Sequence, residues 1–185
     1  PAGQGSVVTL QQSLAHYHFG GDDPGLPGAD NFAADAKRNF GVDERAEVGL
    51  VSRNLRLTAR TPDPASAPQD TRLHWGGELK FCAGFAAASL RGVELEKFGK
   101  EKLVGYPIHF HMAGDVANKP VVAGNSIHHS YNKCVAVHST QNLTLSSNVC
   151  ARAVGHLFYQ EIGDEVNISF TGNLGLGAMS HYFGI

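Results

Sequence analysis

An internal repeat of about 22 to 25 residues constrains this chain more than any other feature of its sequence. Setting GNSIHHSYNKCVAVHS (124–139) over SSNVCARAVGHLFYQE (146–161) places Ile127 on Val149, Val135 on Leu157 and Val137 on Tyr159, an offset of 22. Setting NLTLSSNV (142–149) over NISFTGNL (167–174) gives an offset of 25, the extra residues being absorbed by the polar insertion Gly163–Glu165. Further back, Leu95 falls on Ile127 and His111 on His138, with AGDVANKP (113–120) taking up the longer step. A unit this short, built of two or three strands and turns, cannot bury its apolar face alone and must stack on its neighbours. That geometry is a parallel β-helix. The LxxLxLxxN pattern of leucine-rich repeats is absent, as are the Asn-Gly hairpin signals of a sandwich.

The rest of the chain agrees with an all-β reading. Short runs with β-branched residues recur, among them EVGLVSRNLRLTA (47–59), ELKFCAGF (78–85), SLRGVEL (89–95) and YPIHFH (106–111). Only CAGFAAASL (82–90) leaves room for a short helix. The segments 20–41 and 61–70, rich in Gly, Pro, Asp and Ala, read as surface loops. The expected organisation is one domain over residues 1–185, with 1–41 as a lead-in strand and loop and 42–185 as β-helix coils. With no initiator methionine and an apolar end at HYFGI, the chain reads as a piece of a longer protein.

Charge and cysteine content narrow the function classes. Fifteen basic and seventeen acidic residues give a net charge of −2, which argues against a nucleic-acid groove or an anionic membrane surface as partner. No apolar run is long enough for membrane insertion, and PAGQGSVVTL lacks a signal-peptide pattern. Cys82, Cys134 and Cys150 cannot all pair internally and show no CxxC or zinc-finger spacing, so buried free thiols are expected. The sequons at Asn142 and Asn167 permit glycosylation in a secreted setting and share one repeat position.

Ten histidines are the compositional oddity. If Ile108 and Phe110 point inward, His109 and His111 point outward on one face, with His138 beside His111, Gln160 beyond it, and Ala136 beside His109. His128 and His129 fall on another strand or corner, over Cys150 and Ala151, with Glu96 and Lys97 on the preceding coil. Three readings compete for the groove of His109, His111, His138 and the loop residue Asp115. Imidazoles two apart on one strand plus a third from the next coil suit zinc, with Asp115 as ligand or supporting partner. A histidine or carboxylate could act as general acid or base on a bound glycan, with Asp43, Glu47, Glu94, Asp115 and Glu161 as the available carboxylates. A stacked polar ladder of hydrogen-bonded histidines is the structural alternative, and the reading for His18, His74 and His156.

Taken together, VDERAEVGLVSRNLRL (42–57), HWGGELKFCAGFAAASLRGVELEKFG (74–99), VGYPIHFHMAGDV (104–116), SIHHSYNKCVAVHSTQNL (126–143) and VGHLFYQEIGDEVN (154–167) resemble one family. They are similar to the parallel β-helix segment that follows the domain named for its eight glycines. Fibrocystin, its longer paralogue and the cell-migration-inducing and transmembrane hyaluronidases carry this segment. The resemblance implies a right-handed single-stranded parallel β-helix, an extracellular or cell-surface location, and either large-receptor architecture or hyaluronan depolymerisation. On the enzymatic branch, Asp43, Arg45, His109, His111 and Asp115 fall on matching motifs as catalytic candidates, and Arg45 could clamp a uronate carboxylate. His128, His129 and His138 are then candidates for substrate contact, with Ca²⁺ or Zn²⁺ as the metal if one is used. The short loop after Asp115 and the sparse cysteines depart from the hyaluronidases and leave the branch open. One function is therefore a non-catalytic extracellular module whose partners are a glycan, other extracellular proteins and neighbouring domains of the same chain. The other is a glycoside hydrolase acting on a hyaluronan-like polymer.

Overall fold

The computed structural model describes residues 9–15, 47–62, 74–102 and 104–180. The chain divides into two compact units, Pro1–Val48 and Gly49–Ile185. The first is described only at 9–15 and 47–48, where neither strand nor helix occurs, so every element below belongs to the second. Among the described residues there is no helix, and none long and apolar enough to cross a membrane.

Three strands make one coil. Coil one holds β1 (Leu55–Thr58), β2 (Leu79–Cys82) and β3 (Ser89–Arg91), and coil two holds β4 (Val93–Glu96), β5 (Ile108–Gly114) and β6 (Val121–Ala123). Coil three holds β7 (Ser126–Ser130), β8 (Val135–Thr140) and β9 (Thr144–Ser146), and coil four holds β10 (Val149–Ala153), β11 (Phe158–Gln160) and β12 (Ser169–Thr171). A further strand, β13 (Leu174–Leu176), opens the next coil. Equivalent strands pair in parallel into three sheets: β1-β4-β7-β10-β13, β2-β5-β8-β11 and β3-β6-β9-β12. The molecule is an all-β parallel β-helix, as the repeat requires. The stretch 82–90, where a helix was open, is the end of β2, a turn through Gly84 at φ 95°, and the start of β3.

The inward residues stack in columns. Leu95, Ile127 and Cys150 follow one another on the first sheet, Ile108 and Val135 on the second, and Val122 and Leu145 on the third, each at most 1% exposed. Phe81 stacks on Phe110 with centroids 4.7 Å apart. This shared column of apolar surface is what an isolated coil lacks.

Two devices set the register. Corners are turned by residues in the left-handed region, at Gly92, Gly124, Ser147 and Gly172 before the strands of the first sheet and at Lys97, His129, Arg152 and Gly177 at or just past their ends. Glycine carries that conformation without Cβ strain, which accounts for three of the four positions before the sheet. Next to these corners runs a ladder of asparagines: Asn125 Nδ2 donates to Asn148 Oδ1 at 3.0 Å, and Asn148 Nδ2 to Asn173 Oδ1 at 2.9 Å. The same oxygens accept the backbone N–H groups of Asn125 and Asn148, so each turn's polar groups are satisfied inside the stack.

The ladder corrects the sequence register. Cys150 pairs with Ile127 and Phe158 with Val135, an offset of 23 rather than the 22 read from the apolar residues. The other equivalences hold: Leu95 on Ile127, His111 on His138, and Thr144 on Ser169 at the offset of 25. A second correction concerns the cysteines. Cys134 and Cys150 are not free thiols but form a disulfide between coils three and four, their Cα atoms 6.2 Å apart, while Cys82 is free and exposed. Cys150 lies in the inward column of the first sheet and Cys134 in the core just before β8, both fully buried.

Candidate functional site

The second sheet carries the histidine groove. On β5, Ile108 and Phe110 are fully buried in the core, which turns His109 and His111 to the outer side. Strand pairing then builds two outer rows, Lys80–His109–Ala136 and Cys82–His111–His138. Gln160 pairs with Val137, and the Glu161 N–H donates to the Val137 carbonyl at 2.9 Å, so Glu161 continues the second row beside His138. An offset of 22 places Gln160 in that position; the true register replaces it with a carboxylate.

Outward does not mean solvated. His109 is 0% exposed, with the Tyr106 ring edge-on at 4.7 Å, whereas His111 and His138 are half-buried. The rings form a compact group, His109 to His111 at 4.8 Å and His111 to His138 at 5.0 Å between centroids. One ligand atom from each of the three lies within 4.8 Å of the others. His109 Nδ1 bonds Glu78 Oε1 at 3.1 Å, Glu161 Oε2 stands 3.6 Å from His138 Nδ1, and Tyr106 Oη donates to Glu161 Oε1 at 3.5 Å. Four buried atoms here have no hydrogen-bond partner: His109 Nε2, His111 Nδ1, His138 Nδ1 and Glu161 Oε2.

The electrostatics follow from this packing. Burial alone would raise Glu78, but the hydrogen bonds from His109, Lys80 and Lys100 outweigh it and hold the carboxyl below its ordinary value. Burial pushes His109 below the usual histidine range against the pull of Glu78, and burial with the Glu161 charge pushes Tyr106 up to about 12. Lys133 is lowered by burial, opposed by Glu161, and its Nζ sits 5.1 Å from the Tyr106 ring centroid and 4.8 Å from that of Tyr159. His156 stacks on the other partner of this pair, Tyr159, at 4.9 Å.

A second cluster, Glu96, His128 and His129 on the first sheet, is equally compact. Its atoms are already engaged. His128 Nε2 bonds Glu94 Oε1 at 3.0 Å and its Nδ1 meets His129 Nδ1 at 2.7 Å, while Glu96 takes Arg56 and the Thr58 hydroxyl. The Arg53 N–H donates to Glu94 Oε2 at 2.9 Å and Arg53 Nε to the Gly124 carbonyl at 2.7 Å, which brings residue 53 across this sheet. A Cβ on Gly49 would meet Val149 and Leu174 at 2.9 Å, so glycine allows the backbone at residue 49 to lie that close. Burial would raise Glu94, but the Arg53 N–H, His128 and Arg56 together hold it below the ordinary carboxylate value. His128 pairs with Ala151 rather than Cys150, the same one-residue slip as before.

The other sequence candidates divide as follows. Asp43, Arg45 and His18 lie outside the described residues. Asp115 is not shared with the histidines: it accepts from Asn142 Nδ2, and Asn167 Nδ2 donates to Asn142 Oδ1 at 3.0 Å, so Asp115 and the two sequon asparagines form a surface ladder. Its cause is the repeat itself, which aligns the three turns. Glu47 is exposed, and His74 is buried, stacked on Tyr131 and bonded to Glu101. Sequence reasoning missed Glu78, Tyr106 and Lys133, which precede their strands in turns where alternation carries no information.

Comparison with known proteins follows the same outline. The CEMIP beta-helix family model matches residues 74–184. The human cell migration-inducing and hyaluronan-binding protein is 38% identical over 148 residues, covering 74% of this chain and 11% of that protein. Human cell surface hyaluronidase CEMIP2 is 35% identical over 146 residues, again 74% and 11%. A G8 domain-containing protein of Dictyostelium discoideum is 30% identical over 181 residues, 97% of this chain and 10% of its own length. The chain thus spans about a tenth of these relatives.

Proposed function

The chain belongs to the CEMIP beta-helix family, and from that premise we propose that it is an extracellular module binding a hyaluronan-like acidic glycan across the sheet of His111, His138 and Glu161. The observation that carries this reading is the row of Lys133, Tyr159 and His156 at the edge of that sheet, with Nζ 4.8 Å from the Tyr159 centroid and His156 stacked at 4.9 Å. A pyranose offers an apolar C–H face to an aromatic ring, and a uronate offers a carboxylate to an ammonium group. Two relatives are named for hyaluronan binding and for cell-surface hyaluronidase activity, and the disulfide suits an oxidising, extracellular compartment. Neighbouring domains of a longer chain are the natural partners of a module of this share.

The test is binding of the full-length protein to immobilised hyaluronan, with Lys133→Ala and Tyr159→Ala compared with Lys97→Ala on a different corner. A loss of about tenfold or more for the first two, equivalent to about 1.4 kcal/mol, is expected. Equal binding by all variants would remove the row from the site.

Glu78 and Glu161, joined respectively to His109 and set beside His138, favour a second reading, cleavage of the bound glycan. A carboxylate at either end of the histidine group supplies the two acidic groups that glycosidic hydrolysis uses. Shortening of high-molecular-weight hyaluronan that Glu161→Gln and Glu78→Gln abolish would establish it. Binding without shortening leaves a binding module.

A further inference from the structure

We infer that His109, His111, His138 and Glu161 form a four-ligand site for a divalent transition-metal ion, with zinc the best fit, that clamps coils two, three and four together. This inference shares His111, His138 and Glu161 with the glycan reading but does not rest on it, because its test reads metal content and not glycan binding. Buried polar atoms are hydrogen-bonded in the great majority of cases, so a cluster of four without a hydrogen-bond partner calls for an explanation, and a missing ion is one of the recognised ones. Here the four are His109 Nε2, His111 Nδ1, His138 Nδ1 and Glu161 Oε2, three imidazole nitrogens and one carboxylate oxygen. The donor set matches zinc, which takes four ligands in a tetrahedron, whereas calcium takes six to eight oxygens.

The distances suit it. Histidine ligand atoms lie within 4.8 Å of one another, and Glu161 Oε2 is 3.6 Å from His138 Nδ1. Bonds of about 2.1 Å to a tetrahedral ion hold its ligands about 3.4 Å apart. Closing the remaining gap, at most about 1.4 Å, falls to the half-buried rings of His111 and His138.

Supporting contacts are the stronger argument. A metal-bound histidine donates its other ring N–H to a carboxylate, which fixes the tautomer and aims the free nitrogen. His109 meets that description: Nδ1 lies 3.1 Å from Glu78 Oε1, and Lys80 and Lys100 each hold Glu78 at 3.3 Å, leaving Nε2 buried and bare. At the other end, the Tyr106 hydroxyl holds Glu161 Oε1 and leaves Oε2 toward His138. The Glu96–His128–His129 cluster serves as the internal control, because both His128 nitrogens and the Glu96 carboxylate already have protein partners.

The experiment uses the full-length protein, stripped with chelator and dialysed, then titrated with zinc chloride by calorimetry and read by metal analysis and thermal melting. Wild-type protein should bind one more zinc per chain than His111→Ala or His138→Ala, and zinc should raise its melting temperature but not theirs. Cobalt(II) should give the visible bands of a four-coordinate site in wild type but not in His111→Ala or His138→Ala. Glu78→Gln should keep the ion with affinity lowered roughly 10–100-fold, and His128→Ala should bind as wild type does. Equal zinc content and affinity in wild type and both folded histidine variants would overturn the site, as would an equal loss in His128→Ala.

Discussion

Two sheets of this β-helix each gather three side chains so closely that their ligand atoms fall within 4.8 Å, three histidines on one and two histidines with a glutamate on the other, and they treat them oppositely. On the first sheet Arg53 reaches Glu94 beside the cluster, and Glu94, Arg56 and Thr58 use up its hydrogen-bonding capacity. On the second sheet, four buried atoms are left without hydrogen-bond partners although Glu78 and Tyr106 hold the ends of the group in place. What separates scaffold from site is the state of the lone pairs, since each group holds three side chains able to bind a metal at the same close spacing. A group whose bonds are complete lowers the energy of the fold; one whose bonds are held open has its capacity available to a ligand.

This contrast breaks first at Glu94. Glu94→Ala strips a buried carboxylate from His128, Arg56 and the Arg53 N–H, and the expected cost is about 3–5 kcal/mol in urea unfolding. Glu161→Ala on the open sheet, measured without metal, should cost under about 1 kcal/mol, and similar costs for the two would erase the distinction. Next comes the disulfide under both sheets: replacing Cys134 and Cys150 by alanine should remove about 3 kcal/mol, as expected for its 16-residue separation, while leaving the Glu94–Glu161 difference intact.

A smaller effect comes from Glu165. Burial would raise this carboxyl, but the N–H groups of Ser139, Gly163 and Ile162 reverse the shift and hold it below its ordinary value of 4.5. A lowered folded value means stability present above the unfolded value and lost as pH falls through the folded one. Glu165→Gln should therefore cost about 1–3 kcal/mol at neutral pH, and the difference from wild type should shrink as pH drops below 4.5 in a series of urea melts. A difference constant down to strongly acid pH would show that the backbone bonds do not depend on the charge. The smallest change is expected of His111→Ala, within about 0.5 kcal/mol in the absence of metal, because the half-buried ring leaves no partner unpaired. Loss of the folded state in that variant would make His111 scaffold after all.

Most of the fold was legible because a repeat of this length admits few architectures, and polar residues marked the phase on β5 and β8, where His111 does pair with His138. The phase was lost where both sides of a strand are apolar. Val135, Ala136 and Val137 are all buried, and Val149 is covered although it points outward beneath Gly49, so alternation could not tell 22 from 23. The asparagines at 125, 148 and 173 held the missing signal, since only the true offset puts Asn125 beside Asn148. That slip hid Glu161 from His138 and half of the candidate site with it. Glu78 was out of reach for another reason: 31 residues separate it from His109, and nothing in a turn's sequence announces a partner on the next coil.

The asparagine ladder also bears on how a molecule like this can change length. Its rungs join neighbouring coils only, while the connections between strands vary in length, from Gly92 alone between β3 and β4 to residues 161–168 between β11 and β12. Growth or loss within those loops leaves every rung where it was. An insertion between a corner glycine and its asparagine would shear the whole stack beyond it. The natural cassette is the segment from one rung to the next: excising residues 126–148 would bring Val149 directly after Asn125, preserve the ladder and the core columns, and delete His138 with the coil. Lineages and engineers alike can shuffle whole coils of such a solenoid, and with them whole binding chemistries, without renegotiating its core.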